Sequence, residues 1–250
     1  MRTHLPESGA PMRRTMLLAV PLFALAAACS EITSLEQSNP GSILARDVYT
    51  PANARLLVTG AIGDFECALH RYVVAQGLLG DELVNAFAAV TNFDYDRRTM
   101  TPGHPYGTNT CGAGAQNPGV YTVLSVARGT ADTIYARLSE WTDAEMPPGV
   151  NRTLLLGRSA AYAGYSVLLL GEGMCSAAIN LGPELSRTEL WNEAKLRFDA
   201  AITAVSGATD TASLNTLNMA RVGRARTLLN LGQLAAAGAD AALVTAGFVQ

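Results

Sequence analysis

The sequence predicts an all-α fold, and three observations carry the prediction. Apolar residues recur at helical spacing through most of the chain from Pro51 onward, and no run of comparable length alternates with strand period. Alanine is abundant, with 13 in residues 201–250 alone, whereas only 6% of the chain is aromatic. Such a composition favours helices packed closely on small side chains. Of the 250 residues 49% are hydrophobic and 16% charged, which is ample for a core and excludes a disordered chain. A net charge of −3 leaves no basic face to follow a phosphate backbone, so no nucleic-acid partner is expected.

The leader comes first. Met12-Arg13-Arg14 precede the apolar run Met16–Ala28 and then Cys29, the basic, apolar and small-residue regions of a bacterial export signal. The run would rise roughly 20 Å as a helix at ~1.5 Å per residue, short of a hydrocarbon core of ~30 Å. Residues 1–28 are therefore read as a signal peptide, with Met12 the expected start because residues 1–11 are polar. Ala26-Ala27-Ala28-Cys29 looks like a lipobox, which makes Cys29 the lipidation site; an ordinary signal peptide with a chance cysteine is the alternative. Acyl chains there would hold the protein on a membrane without a spanning helix, and Ser30 in place of aspartate favours the outer membrane. Residues 29–40 are polar and aperiodic, a lipidated tether to a helical domain over 41–250.

Within that domain, Leu56, Leu57, Ile62, Phe65, Ala68 and Leu69 space a first helix over Pro51–Leu69, continuing toward Gly77, with Thr50-Pro51 as its start. Residues 91–119 show no sustained period and carry Pro102, Pro105 and Pro118; they predict a long loop of the kind that often serves function. Val120, Leu124, Ala127, Ala131, Ile134 and Leu138 mark a helix over Val120–Trp141. Further helices follow over Asn151–Leu170, closed by Gly171, and over Ser186–Ala204, opened by the capping box Ser186-x-x-Glu189. The last two cover Leu214–Leu231, ended by Gly232, and Gln233–Val244.

Two of these helices end alike, in Leu168-Leu169-Leu170-Gly171 and Leu229-Asn230-Leu231-Gly232, and each is followed by a second helix. Ala194 and Phe198 match the A-x3-F element of a tetratricopeptide second helix. Small residues at Ala161, Ala163 and Gly164, and at Ala220, Gly223 and Ala225, stand where first helices pack closely. The spacing exceeds the usual ~34 residues, so the pattern predicts irregular tetratricopeptide-like helix pairs, with residues 172–187 as an insertion.

With Cys29 lipidated, Cys67, Cys111 and Cys175 remain in a compartment that permits disulfides. Cys111 and Cys175 both lie in breaks between helices, where a bond would tie down loop backbone. Cys111–Cys175 is the expected pair and Cys67–Cys111 the alternative. Cys67 and His70 alone do not make a metal site, and none is expected.

In this order the elements resemble the SusD/RagB family of outer-membrane nutrient-binding lipoproteins. The resemblance rests on Cys29, Asn39-Pro40, Leu57-Val58-x-Gly60-Ala61, Gly80-Asp81-Glu82-Leu83, the helix over 120–138, Arg158–Glu172 ending LLLGE, Phe198, and Asn218–Gly232. It implies a helical scaffold that caps a TonB-dependent, SusC-like transporter and passes it a captured nutrient, a glycan or oligosaccharide. Family members run past this length, so the resemblance also implies a domain that is incomplete at its C-terminal end. The alternative is a tetratricopeptide-type periplasmic adaptor lipoprotein that binds other proteins.

No nucleophile elbow, HExxH, P-loop or dinucleotide glycine signature is present, so neither an enzyme nor a cofactor is expected. Asp94 and Asp96 read as solvated loop carboxylates, and Asp81-Glu82 as structural. Sugar capture needs aromatic faces and planar donors. The loop over 91–119 offers Phe93, Tyr95, Arg97, Tyr106 and Asn109 as ligand contacts, the alternative being aromatics that pin the loop to the helices. Trp141 and Trp191, at helix ends, read as scaffold packing.

Overall fold

A computed structural model describes residues 43–86, 90–99, 111 and 119–249. Residues 1–28, read from sequence as a signal peptide, Cys29, the expected tether over 29–40, Tyr106 and Asn109 lie outside the described residues. Residues 45–250 form one unit. Its helices are α1 (Ala45–Val48), α2 (Ala54–Leu79), α3 (Val90–Arg97), α4 (Tyr121–Glu140), α5 (Arg152–Gly173), α6 (Arg187–Val205), α7 (Thr211–Asn230) and α8 (Leu234–Ala242). The protein is all-α, with one short hairpin of β1 (Ser176–Ala178) and β2 (Glu184–Ser186) between α5 and α6.

The helix ends show why the chain folds this way locally. Thr50 is extended (φ −126°, ψ 154°) and Pro51 opens a 3-10 turn that leads into α2. At α5 the Asn151 Oδ1 accepts from Leu154 N at 3.1 Å. The capping box of α6 is formed: Ser186 N and Oγ both donate to Glu189 Oε2 at 2.7 Å, and these bonds hold the Glu189 carboxyl below its usual range. α7 begins at Thr211, ahead of the expected start at Leu214, because Asp210 Oδ1 caps it by accepting from Ser213 N at 3.0 Å. It stops where Gly232 takes a φ of +75° and Gln233 N returns to Leu228 O at 2.9 Å.

Gly171 does not close α5, which runs on to Gly173. A Cβ at Gly171 would stand 2.7 Å from Cδ1 of Trp191, so this glycine serves the close approach of α6 rather than a stop. α5 is the centre of the fold and touches α2, α4, α6 and α7. Among the described residues it is the one helix long and apolar enough to cross a membrane, yet 78% of its apolar window is buried inside the protein. That is the signature of a core helix, apolar on most sides because neighbours cover most sides.

α4 packs against α2, α6 against α5 and α8 against α7, and α2, α5 and α7 also touch in series. One part of the core joins Val58, Ala61, Ile134, Leu138 and Leu155. A second joins Phe65, Leu78, Val123, Leu124 and Leu170, and a third gathers Leu168, Leu190, Ala194, Ala220 and the fully buried Phe198. The ring of Phe198 lies between two glycines: a Cβ would stand 2.9 Å from it at Gly164 and 2.3 Å from it at Gly223. The small residues at these two positions thus meet one large side chain.

Three expectations are corrected. The stretch over 91–119 is not all loop, since α3 forms over Val90–Arg97 around one core anchor, Tyr95. The insertion over 172–187 contains a hairpin pairing Ala177 with Leu185; strands of three residues are too short to show a period. The disulfide joins Cys67 to Cys111, with Cα atoms 6.2 Å apart, and Cys175 is an exposed free thiol. The bond ties Cys111 to α2, the helix on which α3 packs. In a chain whose Cys29 is acylated or replaced, native thiol titration is expected to count one reactive cysteine, rising to two in Cys67→Ser as Cys111 is released.

Candidate functional site

The sequence-predicted ligand residues that fall within the described structure do not converge on a solvent-facing site. Tyr95 is buried in the core with Phe65, Leu78 and Val120, and its ring is not free to stack on a ligand. The Arg97 guanidinium lies 4.6 Å over the half-buried Phe93 ring, so each occupies the other's face. Tyr95 pins the segment to the helices, and Phe93 is held by Arg97 within α3. Arg98 completes the fastening: its Nη2 donates to Leu79 O at 2.9 Å and pairs with Asp81, so Asp81 is structural. Asp94 accepts from Thr99 Oγ1 at 3.1 Å and is bonded within its own helix end rather than simply solvated. Trp141 and Trp191 are half-buried against the core, as scaffold residues.

The face that does gather functional groups is built by α2, α5 and α7. On α5, Arg158, Tyr162, Tyr165 and Glu172 recur at spacings of four, three and seven residues and share one side of the helix. On α7, Thr211, Asn215, Val222, Arg226 and Leu229 do the same. The middle of this stripe is aromatic: Phe65 of α2 meets Tyr162 edge-on at 5.2 Å, and Tyr165 meets Phe198 edge-on at 5.0 Å. Tyr165 donates its hydroxyl to Met219 O at 2.8 Å, and burial holds its phenol well above the ordinary range.

At the C-terminal end of the stripe, Glu172 accepts two bonds from Arg226, at 2.8 and 2.6 Å, and a third from Asn230 Nδ2 at 2.7 Å. Burial alone would lower the Arg226 pKa, and the paired Glu172 outweighs it. Tyr72 of α2 stands alongside, its ring filling the space beside Gly173, where a Cβ would be 2.7 Å away. Burial, reinforced by the Glu172 charge, pushes the Tyr72 phenol up, so it stays a neutral hydroxyl.

Next to Tyr72 opens a cavity of about 440 Å³, lined also by Gln76, Gly77, Glu82 and Leu83. Leu83 folds closely over Gly77, where a Cβ would fall 2.7 Å from Leu83 Cδ1. An aromatic ring, an amide that both donates and accepts, and a carboxylate that accepts suit a hydroxylated ligand. At the opposite, N-terminal end a second cavity of about 460 Å³ lies between α5 and α7, lined by Arg158, Thr211, Asn215, Thr216 and Val249.

Tyr72 and Gln76 were legible only as a polar i, i+4 pair inside an apolar helix, a signal that following the apolar stripe passes over. Among the described residues no three His, Cys, Asp or Glu side chains come together where they could hold a metal. Compared with known proteins, the chain matches no family model, no curated protein and no solved structure.

Proposed function

We propose that this protein is a SusD-like lipoprotein that captures a nutrient, a glycan or oligosaccharide, and delivers it to a TonB-dependent outer-membrane transporter. In this reading α2–α4, α5–α6 and α7–α8 are irregular tetratricopeptide-like pairs on a lipid anchor at Cys29. The supporting observation is the packing order: the first helices α2, α5 and α7 touch in series, and Phe198 of a second helix seats between glycines of two first helices. The capture site moves from the segment over 91–119 to the groove beside Tyr72, Gln76 and Glu82, at the edge of the face that the first helices form.

Cys175, exposed and outside the disulfide, provides the test. A membrane-impermeant maleimide applied to intact cells is expected to label the wild-type protein and not Cys175→Ser. Labelling that appears only after the outer membrane is opened would place the protein in the periplasm, favour the adaptor alternative, and overturn this reading.

A further inference from the structure

We propose that the groove between the N-terminal ends of α5 and α7 is a second binding site, one that takes an anionic group, a carboxylate or a phosphate, through Arg158. Its cavity of about 460 Å³ is separate in residues from the Tyr72 groove.

The observation that points to a ligand is the state of Arg158. The protein treats its arginines uniformly. Arg128, Arg152, Arg197, Arg224 and Arg226 each hold carboxylates. Arg55, Arg187 and Arg221 donate to backbone carbonyls, and Arg97 lies on an aromatic ring. Among the described residues Arg158 is the exception, half-buried with no hydrogen bond, ion pair or ring contact. A guanidinium that stands in a groove with no internal partner can take an anion without first giving up a pair.

The rest of the groove fits that ligand. Asn215 contributes an amide donor and Thr211 a hydroxyl, one helical turn apart on the face of α7 turned to the groove. Ala212 and Val249 add an apolar wall beside them, suited to a hydrocarbon body behind the charged group. Thr216 is already committed, donating to Ala212 O at 2.9 Å. The neighbouring carboxylate, Asp210, is also engaged, accepting from Ser213 N to cap α7. The planar fork of Arg158 is therefore the one cation that the described lining offers, and it matches the two oxygens of a carboxylate or phosphate.

The test uses the purified full chain and three probes: hexanoate, its uncharged analogue hexanamide, and inorganic phosphate. Binding is followed by titrating the Arg158 Nε–Hε NMR signal, identified by its loss in Arg158→Gln. Because Arg158 makes no internal hydrogen bond or ion pair and glutamine keeps part of its stem, R158Q is expected to keep the wild-type melting temperature, so lost binding is not lost fold. We expect at least one anion to shift the signal, with affinity falling about tenfold in R158Q when read on neighbouring amides. The tighter of hexanoate and phosphate identifies the anion class. Hexanamide binding as well as hexanoate with phosphate inert, neither anion moving the signal, or R158Q binding unchanged would each overturn the proposal. None of these outcomes depends on which side of the outer membrane the protein faces.

Discussion

Phe198→Ala is expected to lower folding stability by about 3–5 kcal/mol, a large part of the roughly 5–15 kcal/mol that a domain of this kind has. The ring is fully buried and shared by three helices, so its removal opens a cavity that none of them can close alone. Urea unfolding should show a lower midpoint with an unchanged slope. The reciprocal change is equally informative. Gly223→Ala adds a Cβ only 2.3 Å from the ring. The ring cannot retreat, because Gly164 lies against it as well and Tyr165 meets it edge-on at 5.0 Å. Overpacking of about 1–3 kcal/mol is expected, although alanine is intrinsically the better helix former. Gly63, in α2, has nothing within 4 Å of its Cβ position, and there the same substitution is expected to stabilise by about 0.5–1 kcal/mol. The double variant Phe198→Ala with Gly223→Ala should lose less than the sum, because the added methyl partly fills the space the ring leaves. Additive losses would show that ring and glycine do not share one space.

How much of this was readable in advance follows from what sequence encodes locally. The long helices were legible because α2, α4, α5, α6 and α7 each bury one recurring stripe, and the α6 capping box is written in adjacent residues. α3 was not, because a helix of eight residues held by Tyr95 has too few core positions to establish a period. The start of α7 is set by the Asp210 carboxylate rather than by the large apolar residue Leu214, so apolar spacing places it three residues late. Cysteine spacing carries no distance, so sequence alone does not show that Cys111 stands 6.2 Å, Cα to Cα, from Cys67 of α2. The site was least legible. The Tyr72 groove is lined by residues 72–83 alone, but it exists only because the turn after α2 folds Leu83 back onto Gly77; the Arg158 groove requires α5 beside α7, which is not local in sequence.

The second large effect concerns the attachment of α8. Arg224 of α7 donates through Nε and Nη2 to both oxygens of Asp240, at 2.6 and 2.5 Å, and through Nη1 to Asp199 of α6 at 2.8 Å. Lys195 closes the chain by donating to the other oxygen of Asp199 at 2.7 Å. Asp240 is 5% exposed, so removing its partner leaves a buried carboxylate without compensation. Arg224→Ala is therefore expected to destabilise by about 3–5 kcal/mol, with amide exchange accelerating first in α8 and in its contacts with α7. Arg224→Lys should recover only part of this, since one ammonium cannot serve two carboxylates on different helices as the planar fork does. Replacing Arg224 and Asp240 together by leucine should restore most of the stability, because the loss comes from the stranded charge rather than from an ion pair that is strongly favourable in itself. The network also sets a pH dependence. Burial alone would raise the Asp199 carboxyl; the hydrogen bonds from Lys195 and Arg224 outweigh it and hold the group below its ordinary 3.8. A group depressed in the folded state contributes stability that is fully present above its unfolded value and is lost as pH falls through its folded one. Wild type should therefore lose this contribution only below about pH 4. In Arg224→Ala the acid-dependent part should shrink while Lys195 retains the remainder. An acid transition identical in wild type and variant would separate Asp199 from the network that joins α6, α7 and α8.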